Sequence, residues 1–276
     1  MRKIFKLMFA ACVLASVTGC KKVDKPVADE PQHMTEAETV TTQKAEPLAY
    51  ETIIVEKGID SLRMNFRFVI DFPNMGSEAL VNAIKQNIFY SLGDSTTTEY
   101  TTDNIKKIAD RFFDESKKES AEYRSEMDEG YIPAYSFDGS IKMIDNTDKF
   151  VTYCVNTYNY SGGAHGMPYK GYFTIDKSTN KTLTLGDIID PKHNKELEEL
   201  IKTSLVEVYY EGNKPGWDDL FKFALPTQAP GITTDGIIFC YGAYEIDCYA
   251  AGMPYCRLSF ENLEHMMTPK AKALIK

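Results

Sequence analysis

The sequence lacks the features that mark nucleic-acid-binding proteins, cofactor enzymes and membrane-spanning proteins. Its 31 Lys and Arg residues are outnumbered by 40 Asp and Glu residues, which gives a formal charge of −9. An acidic chain without a basic stripe is not expected to bind nucleic acid. It has four histidines, no Cys-x-x-Cys pair and no glycine-rich phosphate loop, so we expect no metal and no cofactor. After residue 17, no apolar run is long enough to span a bilayer.

The first twenty residues have the pattern of a signal peptide. A positively charged start is followed by an apolar run over residues 7–17, which suits a signal peptide and is too short to cross a membrane. Residues 17–20 are Val-Thr-Gly-Cys, which resembles the lipobox of bacterial lipoproteins. The resemblance implies removal of residues 1–19 and attachment of lipid to Cys20. The protein would then be exported and lipid-anchored to the bacterial cell envelope, on its periplasmic or surface face. The alternative is an ordinary secretory signal that contains cysteines.

The segment after Cys20 is too polar to fold alone. Residues 21–48 are rich in Lys, Glu, Thr, Pro and Ala and poor in large apolar residues, so residues 20–48 are predicted to be a disordered tether. Residues 49–276 remain, enough for one large domain or two small ones.

The order of elements predicts an α+β fold. Alternating apolar and polar residues over 62–72 predict a strand with one face on a core. Ser77 is a suitable N-cap for a helix ending near residue 92. The other predicted elements are strands at 50–57, 134–145, 149–159, 169–176, 236–241, 244–249 and 255–260, an extended segment at 182–189, and helices starting near 103 and 190. We therefore expect mainly antiparallel sheets with packed helices, in two consecutive subdomains.

Four cysteines follow the tether: Cys154, Cys240, Cys248 and Cys256. An exported location permits disulfides, and four cysteines allow three pairings. We expect at least one bond. Cys240–Cys248 is the first pair to consider because a predicted hairpin places these residues on neighbouring strands, and Cys154–Cys240 is the next. The alternative is small buried thiols without bonds.

A glycine-rich turn opens a series of segments that resembles one known family. Residues 161–166 are Ser-Gly-Gly-Ala-His-Gly, which predicts a sharp turn after a strand. Further segments with the family's pattern follow in the family's order, at residues 172–176, 181–189, 223–225, 235–239 and 244–252. Together they resemble the C-terminal half of the RsiV/PdaC-like extracytoplasmic domain. Residues 49–160 resemble, by arrangement, the subdomain that precedes it.

The resemblance implies a PdaC-like subdomain at 49–160 and an RsiV-like subdomain at 161–276, with helices packed on antiparallel sheets. The family includes the sensor part of the anti-sigma factor RsiV, which binds lysozyme, and an accessory domain of peptidoglycan deacetylases. Neither role makes the domain a catalyst. This sequence carries none of the deacetylase metal motifs, so no catalytic residue is predicted.

The turn and a tyrosine-rich segment are the candidate ligand-binding site. Its predicted residues are Gly162, Gly163, His165, Tyr244 and Tyr249. His165 can hydrogen-bond a ligand or act as a base; the alternative is a turn histidine whose ring bonds the backbone. The C-terminal half also holds further tyrosines that suit stacking or an interface, although tyrosines also pack sheets against helices. The tyrosines considered for this role are Tyr158, Tyr160, Tyr169, Tyr172, Tyr241, Tyr244, Tyr249 and Tyr255.

These observations predict a non-catalytic binding module on the cell envelope. Its expected partner is a cell-wall glycan or an envelope or host protein, such as a basic lysozyme-like enzyme that complements the acidic chain. Two alternatives remain. One is a cell-wall hydrolase centred on His165, and the other is a structural lipoprotein without a soluble ligand.

Overall fold

The computed structural model of the chain describes residues 47–126, 134–213, 215–217 and 221–276. The predicted signal peptide, Cys20 and all but the last two residues of the predicted tether lie outside the described residues. Residues 46–276 form one compact unit. Within the part of the chain that is described, no helix is both long enough and apolar enough to cross a membrane.

The first layer of the fold is a six-stranded sheet. Its strands are β1 (Ala49–Ile59), β2 (Met64–Met75), β3 (Tyr135–Asn146), β4 (Phe150–Ser161), β5 (Met167–Asp176) and β6 (Lys181–Thr182). They lie in sequence order across the sheet, and all neighbours are antiparallel except β2 and β3, which are parallel. Helices α1 (Glu78–Ser91) and α2 (Thr102–Glu126) pack on one face. The subdomain boundary predicted at residue 160 falls at the end of β4, inside this sheet.

The rest of the chain builds a second, smaller sheet with its own helices. The strands are β7 (Gly231–Thr233), β8 (Gly236–Cys240) and β9 (Tyr255–Leu258), all antiparallel. The helices are α3 (Leu185–Ile188), α4 (Asn194–Ser204), which continues as a π-helical turn at Leu205–Tyr209, α5 (Phe260–Leu263) and α6 (Pro269–Ile275). The prediction of an α+β fold with two sheet regions and mainly antiparallel strands is confirmed.

Local sequence patterns account for the first core. The apolar residues of β2 alternate with polar ones and are buried against α1 and α2, as expected for a strand with one face on a core. Ser77 caps α1, since its hydroxyl accepts a hydrogen bond from the Leu80 amide at 3.4 Å. Phe66 lies among other phenylalanines, including Phe137 of β3 with 5.6 Å between ring centroids.

Two buried threonines connect the sheets. Thr152 of β4 and Thr174 of β5 share a hydrogen bond of 2.9 Å between their hydroxyls. The Thr152 hydroxyl donates to the Ile232 carbonyl at 2.5 Å, and the Ile232 amide donates to the Thr174 hydroxyl at 3.1 Å. Because these groups are buried, each bond also satisfies a polar atom that would be costly to leave unpaired. The second sheet is therefore fixed to the face of β4 and β5 opposite α1 and α2.

Two predicted extended segments differ from the structure. Residues 182–189 form only the short β6 before turning into α3, because Thr184 and Asp187 form a capping box that starts a helix. Residues 244–249 do not form a strand. Tyr244 has a left-handed φ of 67°, and the chain continues into a 3₁₀ turn at Tyr249–Ala251.

The predicted disulfide is not formed: Cys154, Cys240, Cys248 and Cys256 are all free thiols. The Cys240–Cys248 prediction fails because it needed a strand at 244–249. Strand β8 pairs with β9 instead, placing Tyr255 opposite Cys240 and Cys256 opposite Phe239. Since side chains alternate between faces along a strand, Cys240 and Cys256 point to opposite faces of this sheet. Sγ of Cys154 accepts a hydrogen bond from Nδ2 of the Asn156 side chain at 3.3 Å.

Candidate ligand-binding surface

The Gly-Gly-Ala-His turn joins β4 to β5 and is held by two tyrosines of β4. The Gly166 amide donates to the Tyr158 hydroxyl at 3.1 Å, and the Tyr160 hydroxyl donates to the Gly163 carbonyl at 2.9 Å. A Cβ atom at Gly166 would lie 2.2 Å from Cζ of Tyr158, so this position needs glycine for the ring to approach the backbone. Gly162, with φ 80°, takes the left-handed conformation predicted for the turn.

His165 is exposed but has three ordered contacts. Its Nδ1 lies 3.0 Å from the Gly166 carbonyl and its Nε2 lies 3.2 Å from the Tyr244 hydroxyl. Because a carbonyl can only accept, Nδ1 carries the proton, and in the neutral ring Nε2 accepts from Tyr244. The ring stacks on Tyr249, with centroids 3.8 Å apart and an interplanar angle of 23°.

The tyrosine-rich segment at residues 244–252 is held in place by hydrogen bonds between side chains and backbone groups. The Glu245 carboxylate accepts hydrogen bonds from the Gly242 amide at 2.7 Å and from the Thr227 amide at 2.8 Å. At the other end, the Tyr209 hydroxyl donates to the Ala251 carbonyl at 2.7 Å. These contacts set the positions of Tyr244 and Tyr249, whose ring centroids are 5.7 Å apart.

We call Tyr158, His165, Tyr244 and Tyr249 the aromatic patch. Tyr158 is 41% exposed and Tyr244 44% exposed, while His165 is exposed and Tyr249 half-buried. Burial and the neighbouring hydroxyls of Tyr158 and Tyr244 raise the pKa of Tyr249. The patch is therefore an ordered surface, and its side chains do not form part of either core.

The structure separates the other tyrosines by environment. Tyr241 is fully buried in the second core, with its hydroxyl donating to the Ala224 carbonyl at 2.9 Å. Tyr169 and Tyr255 are exposed. The Lys170 ammonium lies 4.4 Å from the centroid of the Tyr255 ring. The tyrosine-rich composition therefore reflects both core packing and surface.

Sequence reasoning missed the residues that position the patch. Glu245 joins the nearby Gly242 amide to the Thr227 amide, and Tyr209 reaches the Ala251 carbonyl; no local pattern marks the two longer-range contacts. It also missed a histidine pair: His193 and His265 each lie 2.8 Å from a different oxygen of Glu196. Among the described residues, no three His, Cys, Asp or Glu side chains are arranged to hold a metal ion.

Two family models match the chain. The model described as "Deacetylase PdaC" matches residues 64–168 and the model described as a protein of unknown function, DUF3298, matches residues 186–261. His165 thus lies in the first matched region, and Tyr244 and Tyr249 lie in the second. The patch brings the two regions together.

Solved structures show the same fold. A DUF3298-family protein from Bacteroides fragilis superposes with a TM-score of 0.71 at 20% identity, covering 83% of this chain and 97% of that chain. A DUF3298-family protein from Pseudomonas aeruginosa gives a TM-score of 0.56 at 19% identity, with coverages of 82% and 96%. A comparison with curated proteins gave no match. The chain is therefore similar to a PdaC domain over residues 64–168 and to a DUF3298 domain over residues 186–261, in agreement with the predicted resemblance to the RsiV/PdaC-like family.

Proposed function

We propose that this protein is a lipid-anchored envelope protein whose folded part is a non-catalytic binding module for a cell-wall glycan or a protein such as a lysozyme-like enzyme. The aromatic patch is its binding surface. The observation that carries this proposal is the ordered exposure of His165, which contacts Gly166, Tyr244 and Tyr249 and yet remains open to solvent.

An ordered aromatic surface favours binding for two physical reasons. Its side chains have already lost much of their rotamer freedom, so a ligand incurs a smaller entropic cost on arrival. A tyrosine also offers an apolar ring together with a polar hydroxyl, which is why it is enriched at interfaces. Tyr158 and Tyr244 are the two exposed tyrosines of the patch.

The contacts of His165 favour binding over hydrolysis. In a catalytic triad, the histidine uses one ring nitrogen to accept the proton of the nucleophile. Its other ring nitrogen donates to a carboxylate, which orients the ring. Here one nitrogen of His165 faces a backbone carbonyl and the other a tyrosine hydroxyl. A backbone carbonyl therefore occupies the position that a carboxylate has in a triad, and the two partners fix the ring in the turn.

The lipid anchor is supported by the lipobox-like sequence at residues 17–20. Leu48, at the end of the predicted tether, packs against the first core. The folded part therefore begins where the polar segment ends, and a tether on Cys20 would give it reach from the membrane.

Capture on immobilised protein tests the binding surface. The mature chain with Cys20→Ala is incubated with purified sacculi and with an envelope extract. We expect His165→Ala/Tyr249→Ala to abolish capture with little change in melting temperature. The matched control is Tyr90→Ala, an exposed tyrosine on α1, which should leave capture unchanged.

Three outcomes contradict this proposal. Equal capture by the double variant and the control would remove the patch as the binding surface. Destabilisation of the double variant by about 2–5 kcal/mol would show that these side chains are core, as in large-to-small core changes. Release of soluble muropeptides by the native protein, lost in His165→Ala, would establish the hydrolase.

A further inference from the structure

The two edge strands of the first sheet differ greatly in length. Strand β6 at one edge has two residues, whereas β1 at the other has 11 and pairs with β2 along its whole length. Within the described residues, β1 pairs with no strand other than β2. Its outer side therefore presents a long row of backbone amides and carbonyls, which is a template for the addition of another strand.

Strand β1 has few of the features that protect an edge. Natural edge strands are often interrupted by prolines or by bulges. Strand β1 contains no proline, and its one register shift lies at its start, between Ala49 and Tyr50. Ile54, at the middle of the strand, is 58% exposed on the face turned away from α1 and α2. We therefore expect a specific partner strand to cover this edge.

Symmetry limits how a second copy of the chain can pair with β1. Two copies paired antiparallel are related by a two-fold axis perpendicular to the sheet, so their helices lie on the same face. Because side chains alternate between the faces of a strand, two opposite residues must then lie on the same face. The register that pairs every residue of Ala49–Ile59 meets this condition, and it places Ile54 on the axis, opposite Ile54 of the second copy.

The sequence of β1 is complementary to itself in this register. Glu51 lies opposite Lys57 of the second copy, and the axis repeats this pair. Opposite charges and two aliphatic side chains are favourable cross-strand pairs. Tyr50, which is exposed, lies opposite Gly58, and an aromatic ring compensates for a glycine at a sheet edge. In the two neighbouring allowed registers, Glu56 faces Tyr50 or Ile54 and the opposite-charge pairs are lost.

Helix α2 leaves room for the second copy. It contacts β1 through Lys57, which pairs with Asp110 and lies over the ring of Phe113. Lys57 is three residues from Ile54, so the two Lys57 positions would be about 20 Å apart along the strands. A helix with its side chains is about 10–12 Å wide. The ammonium of Lys57 has three protons, so it can bind both Asp110 and Glu51 of the second copy.

We propose that β1 is a homodimer interface. Two copies pair antiparallel along Ala49–Ile59 with Ile54 on the two-fold axis, and their first sheets join into one continuous sheet. The aromatic patch is not part of this contact, so the inference does not rest on the proposed function.

Sedimentation velocity of the mature Cys20→Ala chain tests the dimer. From micromolar to millimolar concentration, we expect a monomer that converts to a dimer. Ile54→Lys places two like charges opposite each other on the axis, which should weaken the dimer about tenfold or more without changing the melting temperature. The matched control is Val208→Lys on the π-helical turn, where Val208 is 71% exposed; this variant should dimerise like the unchanged chain.

Cysteine cross-linking tests the register. In the Cys20→Ala/Cys248→Ser chain, the three remaining cysteines are buried. After oxidation with copper–phenanthroline, Ile54→Cys should form covalent dimers, because opposite residues have Cα atoms about 4.5–5.5 Å apart. Thr52→Cys should not cross-link to itself, since its two copies would be about 13 Å apart along the strands. A mixture of Thr52→Cys and Glu56→Cys should cross-link.

Three outcomes overturn this inference. A monomer at every concentration would show that the edge of β1 is left to another partner, such as the N-terminal segment of the chain or a different protein. A dimer that Ile54→Lys leaves as strong as Val208→Lys does would place the contact elsewhere on the surface. Covalent dimers of Thr52→Cys alone, formed as fast as those of Ile54→Cys, would contradict the register.

Discussion

The contact between Gly166 and Tyr158 makes a quantitative prediction for Gly166→Ala. The new methyl group would lie 2.2 Å from Cζ and 2.4 Å from the hydroxyl oxygen of Tyr158. Such overlap cannot persist, so the ring or the backbone must move. Tyr158 is 41% exposed, and rotating it outward avoids the cost of about 1–3 kcal/mol that overpacking a rigid site incurs.

The magnitude follows from what that rotation breaks. The hydrogen bond from the Gly166 amide to the Tyr158 hydroxyl is lost, at about 0.5–1.5 kcal/mol. Replacing glycine by alanine also restricts the unfolded chain, which raises the free energy of unfolding by about 0.4–1 kcal/mol where the folded backbone suits alanine. Gly166 is such a position, since its φ is not in the left-handed region. We expect a net loss of at most about 1 kcal/mol in the free energy of unfolding, together with disruption of the aromatic patch.

Urea unfolding of four variants tests this reasoning. Gly163→Ala is the matched control in the same turn, because its nearest contact would be the His165 carbonyl at an ordinary 3.9 Å; it should stabilise by about 0.4–1 kcal/mol. Tyr158→Ala removes the ring, so Gly166→Ala made in that background should no longer destabilise. An equal cost of Gly166→Ala in both backgrounds would show that the ring contact is not the cause.

Three further predictions concern other parts of the chain. Cys20→Ala should abolish both membrane attachment and labelling of the protein by a fatty-acid probe, while the circular dichroism spectrum of the folded part stays unchanged. If the variant still incorporates lipid, the lipobox assignment is wrong. In the mature Cys20→Ala chain (residues 20–276), which retains four cysteines, a thiol reagent should modify Cys248 alone in the native state, because burial raises the pKa of Cys240 and Cys256 to about 12 and also raises the pKa of Cys154. Fewer than four reactive thiols after unfolding without a reductant would instead reveal a disulfide. Burial alone would raise the pKa of Asp94, but hydrogen bonds from Thr97 and Thr96 lower that pKa overall. The ionised Asp94 therefore stabilises the fold above its unfolded pKa of about 4, and this stabilisation is lost as the pH falls through the lower folded pKa. Asp94→Asn should make the free energy of unfolding depend less on pH in this acid range, and an unchanged pH profile would contradict this explanation.

The sequence is a good guide where structure is local. The alternation in β2 and the Ser77 cap of α1 depend on neighbouring residues, and both are found as predicted. The parallel pairing of β2 with β3 could not be derived, because it depends on how the intervening helices return the chain. The segment at 244–249 was predicted as a strand, whereas the Glu245 carboxylate accepts hydrogen bonds from the Gly242 and Thr227 amides and the chain folds back.

In the candidate site, too, the sequence predicts what is local and misses what depends on long-range contacts. The turn around His165 could be predicted from its glycines, because their conformational freedom is a property of the residues themselves. His165 and Tyr249 were both named as candidate site residues, but the stacking of their rings could not be predicted, since the two residues are far apart in the sequence. The supporting contacts of Tyr209 and Glu245 carry no sequence signal, because they join side chains to backbone groups whose positions depend on the whole fold.

The contact between the Tyr158 ring and the backbone of Gly166 explains how the aromatic patch is ordered without being buried. Tyr158 lies against Gly166, where a Cβ atom would be 2.2 Å from Cζ of the ring. A ring held against the backbone gains dispersion contacts there, and Tyr158 still remains 41% exposed. Ordering is then supplied by the fold instead of by the ligand, which reduces the entropic cost of binding. Because His165 and Tyr249 belong to different family-matched regions, this ordered surface exists only when the PdaC-like and DUF3298 regions are folded together.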